Sequence, residues 1–211
     1  MSGRAAAARP RDLESEATRR TILAAAEHLL TTGGEEGLSI RELCNRAGVT
    51  APTVYHHFGD KAGLIARVVD ACFADFDRAF AGRPVPLDPV EALCWAFDRY
   101  VEYGGAHPTH YRLMFQPRRA HRTPGGLASY DGLRRGVAKI AAAGRLRPSV
   151  EDGAAAFWAT VHGVTSLMVS GFLGGDSPVA ALVRDAMIDQ LTTSAPARRA
   201  GAAESKRRKR A

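Results

Sequence analysis

The chain reads as an all-α protein, and three observations say so. Apolar residues recur three and four apart along most of its length, with almost no period-two alternation. Gly and Pro clusters fall between those periodic stretches rather than within them. Several stretches are preceded by Ser, Thr or Asp, whose side-chain oxygens can accept the free backbone N–H groups of a helix start. A length of 211 residues suits one sizeable core, or a small domain joined to a larger one. No run of about 18 apolar residues is present, so no membrane span is expected. The start M-S-G-R-A-A-A-A-R-P-R lacks the apolar run of about 7–15 residues that a secretory signal needs. Cys44, Cys72 and Cys94 are odd in number and sit among apolar neighbours, as small buried hydrophobes do. A reducing, cytoplasmic location is therefore expected.

Residues 1–14 form an Ala/Arg-rich arm containing Pro10. The first helix is expected from about Glu16 to Thr32, with Ile22, Ala26, Leu29 and Leu30 on one face and Gly33-Gly34 as its stop. Ser39 is placed to cap the second helix, with Glu42 three residues on as in a capping box. Ile40, Leu43, Cys44 and Ala47 make its inner face, and Gly48 ends it. Thr50 is placed to cap a third helix with Pro52 in its first turn, where a missing N–H costs nothing. Val54 and Phe58 face inward, and Gly59 is the stop. Asp60 caps a fourth helix whose apolar stripe runs Ile65, Val68, Val69, Cys72, Phe73, Phe76, Phe80. Gly82, Pro84, Pro86 and Pro89 then mark the clearest boundary in the chain. Five further helices are expected at about 88–104, 108–116, 124–143, 150–173 and 178–194. The fourth of these, rich in Ala, Gly and Ser, is apolar around most of its circumference and needs cover on more than one side, some of it from a second subunit.

The net charge of +7 is unevenly placed. Residues 1–70 carry nine basic and nine acidic side chains, whereas residues 198–211 carry seven basic and one acidic. The basic character is thus mostly that of a tail, expected to be disordered and suited to polyanions. Any case for nucleic acid has to come from local motifs. One is present: the second helix, the turn at Gly48-Val49 and the short third helix make a helix-turn-helix, whose second helix enters the major groove. Ala51, Pro52, Thr53, Tyr55, His56 and His57 are left on its outer face, and none is acidic. Thr, Tyr and His can donate to phosphate, and Ala, Pro and a Tyr ring can pack on thymine methyls. Arg41 can reach guanine, and Lys61 adds a cation beside a helix start. Adjacent histidines on a helix point about 100° apart, so His56 and His57 do not make a metal pair, although either can serve the helix C-terminus. No metal set, cofactor motif or catalytic constellation is evident, and an enzyme is not expected.

The stretch L-S-I-R-E-L-C-N-R-A-G-V-T-A-P-T-V-Y-H-H-F-G-D-K-A-G-L, residues 38–64, resembles the DNA-binding domain of TetR-family transcriptional regulators. The resemblance rests on Gly48, Thr53, the Tyr55-x-x-Phe58 pair and the Lys61/Leu64 start of the fourth helix. It implies that Arg41, Ala51, Pro52 and Tyr55 lie at bases, and that Ser39, Thr53, Tyr55, His57 and Lys61 meet phosphate. Thr50 and His56 stand at the edge of that surface. Farther on, W-A-T-V-H-G at 158–163 with H-P-x-x-Y-R-L-M-F at 107–115 is similar to C-terminal domains named for a Trp-His-Gly signature. This implies four parts: the arm 1–14, a helix-turn-helix domain 15–82, a helical ligand-binding and dimerisation domain 83–195, and the basic tail 196–211. It also implies a homodimer through the last two helices. The function expected is a repressor that binds a palindromic double-stranded DNA operator and is released by a small, mainly apolar or aromatic ligand. A regulator or activator acting without a ligand is the alternative. Pocket candidates are Trp95, Tyr100, Tyr103, His107, Tyr111, Met114, Phe115, Trp158, His162 and Met168, although core packing is the commoner role of such residues. His107 and His110 have metal-compatible spacing without a third ligand.

Overall fold

The computed structural model describes residues 10–115 and 123–193. The basic tail and most of the N-terminal arm lie outside them. The described residues form α1 (Pro10–Gly37), α2 (Ile40–Ala47), α3 (Ala51–Phe58), α4 (Lys61–Phe80), α5 (Pro89–Ala106), α6 (Pro108–Phe115), α7 (Pro124–Ala142), α8 (Val150–Val169) and α9 (Val179–Leu191). No strand occurs among them. A single antiparallel bridge pairs Leu146 with Thr192, and Arg147 N donates to Leu191 O at 2.9 Å. This pairing joins segments 46 residues apart, so no local pattern announces it.

Helix boundaries follow the local chemistry in most places. The Ser39 hydroxyl accepts from Glu42 N at 3.4 Å, and Gly48 closes α2 in the left-handed conformation at φ 65°. Asp60 Oδ1 accepts from Gly63 N at 2.6 Å and starts α4. Four expectations are corrected. The first helix starts at Pro10 rather than Glu16, since proline is at home in a first turn. It breaks at Gly34 (φ 63°, ψ −165°), but one more turn follows, to Gly37. Thr50 makes no capping bond, because its hydroxyl pairs with the Thr53 hydroxyl at 3.0 Å. The eighth helix ends at Val169 and not at 173, where Gly171 takes φ 79°.

The inward faces hold. Ile22, Ala26, Leu30, Leu43, Val54 and Leu64 are buried together where α1, α2, α3 and α4 meet. α4 then runs on to pack against α5, α6 and α7, while α5 lies against α7, α8 and α9. The apolar core is continuous from Ile22 to Leu191. Polar ties reinforce the joints with α4 and α1. Gly125 N donates to Asp70 Oδ1 at 2.9 Å, Ser129 Oγ donates to Asp77 Oδ1 at 2.7 Å, and His110 Nε2 pairs with Glu27 Oε1 at 2.7 Å. No described helix is long and apolar enough to cross a membrane.

Two glycines in these helices have opposite reasons to be there. A Cβ on Gly104 of α5 would overlap Thr165 Cγ2 of α8, whereas a Cβ on Gly136 in α7 would meet nothing within 4 Å. In a helix, alanine is favoured over glycine by about 1 kcal/mol. Gly136→Ala should therefore raise the urea midpoint. Gly104→Ala should lower it, because overpacking costs about 1–3 kcal/mol and exceeds the helix gain. Midpoints that move in the same direction would contradict the close α5–α8 approach.

Candidate functional site

α3 is short and lies on the surface with its back anchored. Val54 and Phe58 are buried, the first at 1% exposure, and hold α3 against α4. Arg19 of α1 places its guanidinium 5.9 Å from the Phe58 ring centroid, a supporting contact that sequence reasoning did not identify. The opposite face carries Pro52, Tyr55 and His56 exposed, with Ala51, Thr53 and His57 half-buried at its edges. Tyr55 is 46% exposed, unusual for so large a ring without a partner. The His56 and His57 rings meet edge-on at 5.4 Å and do not converge on a common point.

Ser39 and Arg41 are exposed at the start of α2. The Ser39 oxygen is used as a cap, so its O–H stays free to donate outward. Lys61 is less free than expected. Its Nζ donates to Glu35 O at 2.9 Å, tying the start of α4 to the turn after Gly34. An ammonium has three donors, so this bond positions the charge and leaves donors for an anion.

A second feature lies at the far end of α4. A cavity of about 640 Å³ opens between α4, α5, α7 and α8. Phe73, Phe76 and Phe80 of α4 form one wall, and Trp95 and Tyr100 of α5 another. Phe115, Tyr130, Phe157 and Trp158 add rings from α6, α7 and α8. Gly132 and Gly136 line it on α7, where the missing side chains leave room. Its charged lining residues, Asp77 and Lys139, are exposed. This explains why Phe80, expected in the core stripe, is only half-buried.

Of the ten pocket candidates, Trp95, Tyr100, Phe115 and Trp158 line this cavity. Tyr111 and His162, with Phe115 again, line a smaller neighbouring cavity of about 360 Å³. The other four do not line either. Met114 is fully buried as core. Met168 packs on that core from the outside. Tyr103 is buried against Phe76, its hydroxyl donating to Cys72 O at 3.4 Å. His107 is exposed and lies against Tyr103 and His110. Identity and spacing could not separate these roles, since all ten are aromatic, Met or His in or beside amphipathic helices. No group of three potential metal ligands occurs among the described residues.

His162 sits between the two cavities. Its ring is stacked on Trp158 at 5.5 Å and faces Phe115 at 4.6 Å. The Tyr111 hydroxyl lies 2.7 Å from its Nδ1 and 3.1 Å from its backbone carbonyl, and the Tyr100 hydroxyl lies 3.4 Å from Nδ1. Burial lowers the His162 pKa below its ordinary value of 6.5, because the charged ring would lose its water. Burial likewise holds the Tyr100 and Tyr111 hydroxyls protonated by raising their pKa values.

Comparison with known proteins places the chain. Residues 22–68 match the family model described as bacterial regulatory proteins, tetR family. Residues 90–191 match the tetracyclin repressor-like C-terminal domain, so the two matches together span well over half the chain. The chain belongs to the TetR family. It is 31% identical over 107 residues to the HTH-type transcriptional regulator EthR of Mycolicibacterium smegmatis, covering 50% of this chain and 48% of that protein. It is 30% identical to the HTH-type transcriptional repressor SCO4008 of Streptomyces coelicolor, covering 48% of this chain and 50% of the relative. The chain thus matches about half the length of these curated relatives. A solved protein of unknown function from Rhodococcus sp. RHA1 superposes with a TM-score of 0.67 at 28% identity, over 83% of this chain and 96% of that one. A putative tetR family regulator from Shewanella sp. PV-4 superposes at 0.70 over 84% and 99%; at 16% identity it speaks to the fold alone.

The depressed His162 pKa has a consequence for this TetR-family chain. Between the folded value and 6.5 the unfolded chain binds a proton that the folded protein refuses. Acidification from 6.5 downward should therefore destabilise the protein through this residue. His162→Asn should flatten the slope of the urea midpoint against pH in that window; an unchanged slope would show that the ring titrates as if free.

Proposed function

We propose that the protein is a homodimeric transcriptional repressor that reads a palindromic DNA operator with α3 and releases it when a small, mainly apolar or aromatic ligand fills the large cavity. One observation carries the reading. α4 begins beside α3, with Asp60 and Lys61 fixing its start, and the same helix supplies Phe73, Phe76 and Phe80 to the cavity wall. A ligand that favours one position of α4 over another changes the separation of two α3 helices, by no more than its differential affinity. A partly open, mostly apolar cavity with few polar groups suits such a ligand and disfavours a regulator acting without one.

At the DNA, Tyr55, Pro52 and Ala51 meet base edges, with Arg41 reaching guanine. Ser39, Thr53, His57 and Lys61 donate to phosphate, and Thr50 and His56 lie at the rim. One α3 covers few base pairs. Two copies, about 34 Å apart, read both halves of a palindrome. The relatives' names, as regulators and repressors of the helix-turn-helix type, fit this reading. A cytoplasmic location goes with it.

The dimer forms through α8 and α9. Ala155, Ala159, Gly163, Ser166 and Ser170 make an exposed stripe of small residues along α8, which permits close approach of another helix. Leu167, Phe172 and Leu182 are exposed beside it, at 43%, 79% and 68%. Apolar side chains grouped in this way are usual at interfaces. Leu182→Arg should shift the protein from dimer to monomer in sedimentation velocity, and a dimer that persists would move the interface elsewhere.

The test of function is binding to DNA from the protein's own upstream region against a scrambled competitor, at two salt concentrations. Selective, salt-sensitive binding with two protomers per site is expected. Tyr55→Ala should lower the selective affinity by about tenfold or more while leaving thermal unfolding unchanged. Equal affinity of that variant for the selected site would refute the assignment of α3.

A further inference from the structure

The large cavity is long rather than round. α5 and α7 run along it in opposite directions. Arg145, just beyond the end of α7, pairs with Asp88 at the start of α5. At the other end Gly125 backs onto Phe73, whose ring meets Phe115, and Phe115 lies beside Tyr100. On α7 the lining extends from Gly126 to Lys139, about 20 Å at 1.5 Å per residue, and on α5 from Pro89 to Tyr100, about 17 Å. A volume of about 640 Å³ spread over that run leaves a mean section of about 30 Å². A body of that section is one chain or one ring across.

The two ends differ in burial and charge. Phe73 and Tyr100 are buried at the inner end, whereas Val85 and Lys139 are exposed at the other. Lys139 is the cation in the lining, and among the described residues no carboxylate pairs with it. Asp88 at that end is already held by Arg145 and by the N–H groups of Val90 and Glu91. The cavity is also open along α4 and α7, where Asp77, Leu127 and Ser129 are exposed. The charge on that side is Asp77, which accepts from Ser129 Oγ and repels an anion. We infer that the ligand is a slender monocarboxylate, apolar along its length, whose body lies along α7 and whose carboxylate stays at the mouth against Lys139; this rests on the ligand-binding role proposed for the cavity. Carried to the inner end, a carboxylate would lose its water among Phe73, Phe115 and Tyr100 with no counter-charge. Left at the mouth, it keeps water and gains a cation. Lys139 also sits in the last turn of α7, where a cation suits the free carbonyls. That role is indifferent to what fills the cavity, so the charge on the ligand separates the two.

The probe is cis-parinarate, a straight polyene carboxylate that brightens on leaving water. Its methyl ester is the same chain without the charge. The intact protein should bind both. Lys139→Gln should weaken parinarate about two- to fivefold, and Lys139→Glu should weaken it further. Neither variant should change the ester. Added salt should weaken parinarate and spare the ester. Palmitate should displace parinarate, whereas cholate, a broad steroid carboxylate, should not. Gly136→Leu, which projects into open space one turn before Lys139, should abolish binding of both chains. If both chains bind, both are lost in Gly136→Leu, and Lys139→Glu treats them alike, the carboxylate's place is wrong and the cavity stands as a ligand site. If cholate displaces parinarate as well as palmitate does, the slender shape is wrong. If neither chain binds the intact protein, or Gly136→Leu binds both normally, the ligand role of the cavity falls and this inference falls with it.

Discussion

The structure depends on helix α4 being buried at both ends against different partners. Its first turns hold α1 and α3 through Leu64, Ile65 and Val68. Its later turns hold α5, α6 and α7 through Cys72, Phe73 and Phe76. Each such side chain contributes about 1.5–3 kcal/mol when removed from water. Neither end can move without disturbing a packed apolar contact, so a displacement at one end is carried as a rigid-body motion of the helix. The polar ties make this explicit. Asp70 and Asp77, a helical turn or two apart on α4, receive Gly125 N and Ser129 Oγ from α7. Glu27 on α1 receives His110 from α6.

The large cavity is a deliberate omission within an otherwise dense core. Its walls are aromatic, and the rings meet mostly edge to face, as between Phe76 and Tyr100 and between Phe80 and Trp95. The room comes from α7, which presents Gly132 and Gly136 where larger residues would close it. An apolar cavity forfeits dispersion contacts, so it costs stability relative to a filled core. The same accounting makes His162 costly. A half-buried imidazole among Trp158, Phe115 and Tyr111 resists protonation, and its hydrogen bonds to tyrosine offset the loss of water.

Much of the N-terminal part, α1 to the start of α4, was legible in the sequence because its determinants are local. Ser39 and Asp60 cap helices that begin within three residues of them, and Gly48 supplies a conformation that side-chain-bearing residues avoid. Val54 and Phe58 are one helical turn apart, so burying one commits the other. Thr50 misled because its hydroxyl pairs with the Thr53 hydroxyl and no backbone N–H is capped by either. The cavity was legible only as a pool of residue types. Trp95 lines it while Tyr103 does not, although both lie on α5 and both are aromatic. What separates them is the neighbour each faces.

By itself the sequence determined that this chain is helical, where most helices start and stop, and that α3 carries an outward face of compact donors and one aromatic ring. These follow from periodicity, capping and glycine conformation, which act within a few residues. Only the tertiary structure decided that Lys61 is tethered to the Glu35 carbonyl, that Arg19 lies over Phe58, and that Tyr100 and Tyr111 converge on one nitrogen of His162. Those contacts join residues from 26 to 62 positions apart, on separate helices. They depend on the angles at which helices cross, and those angles are set by the summed packing of whole faces rather than by any local pattern.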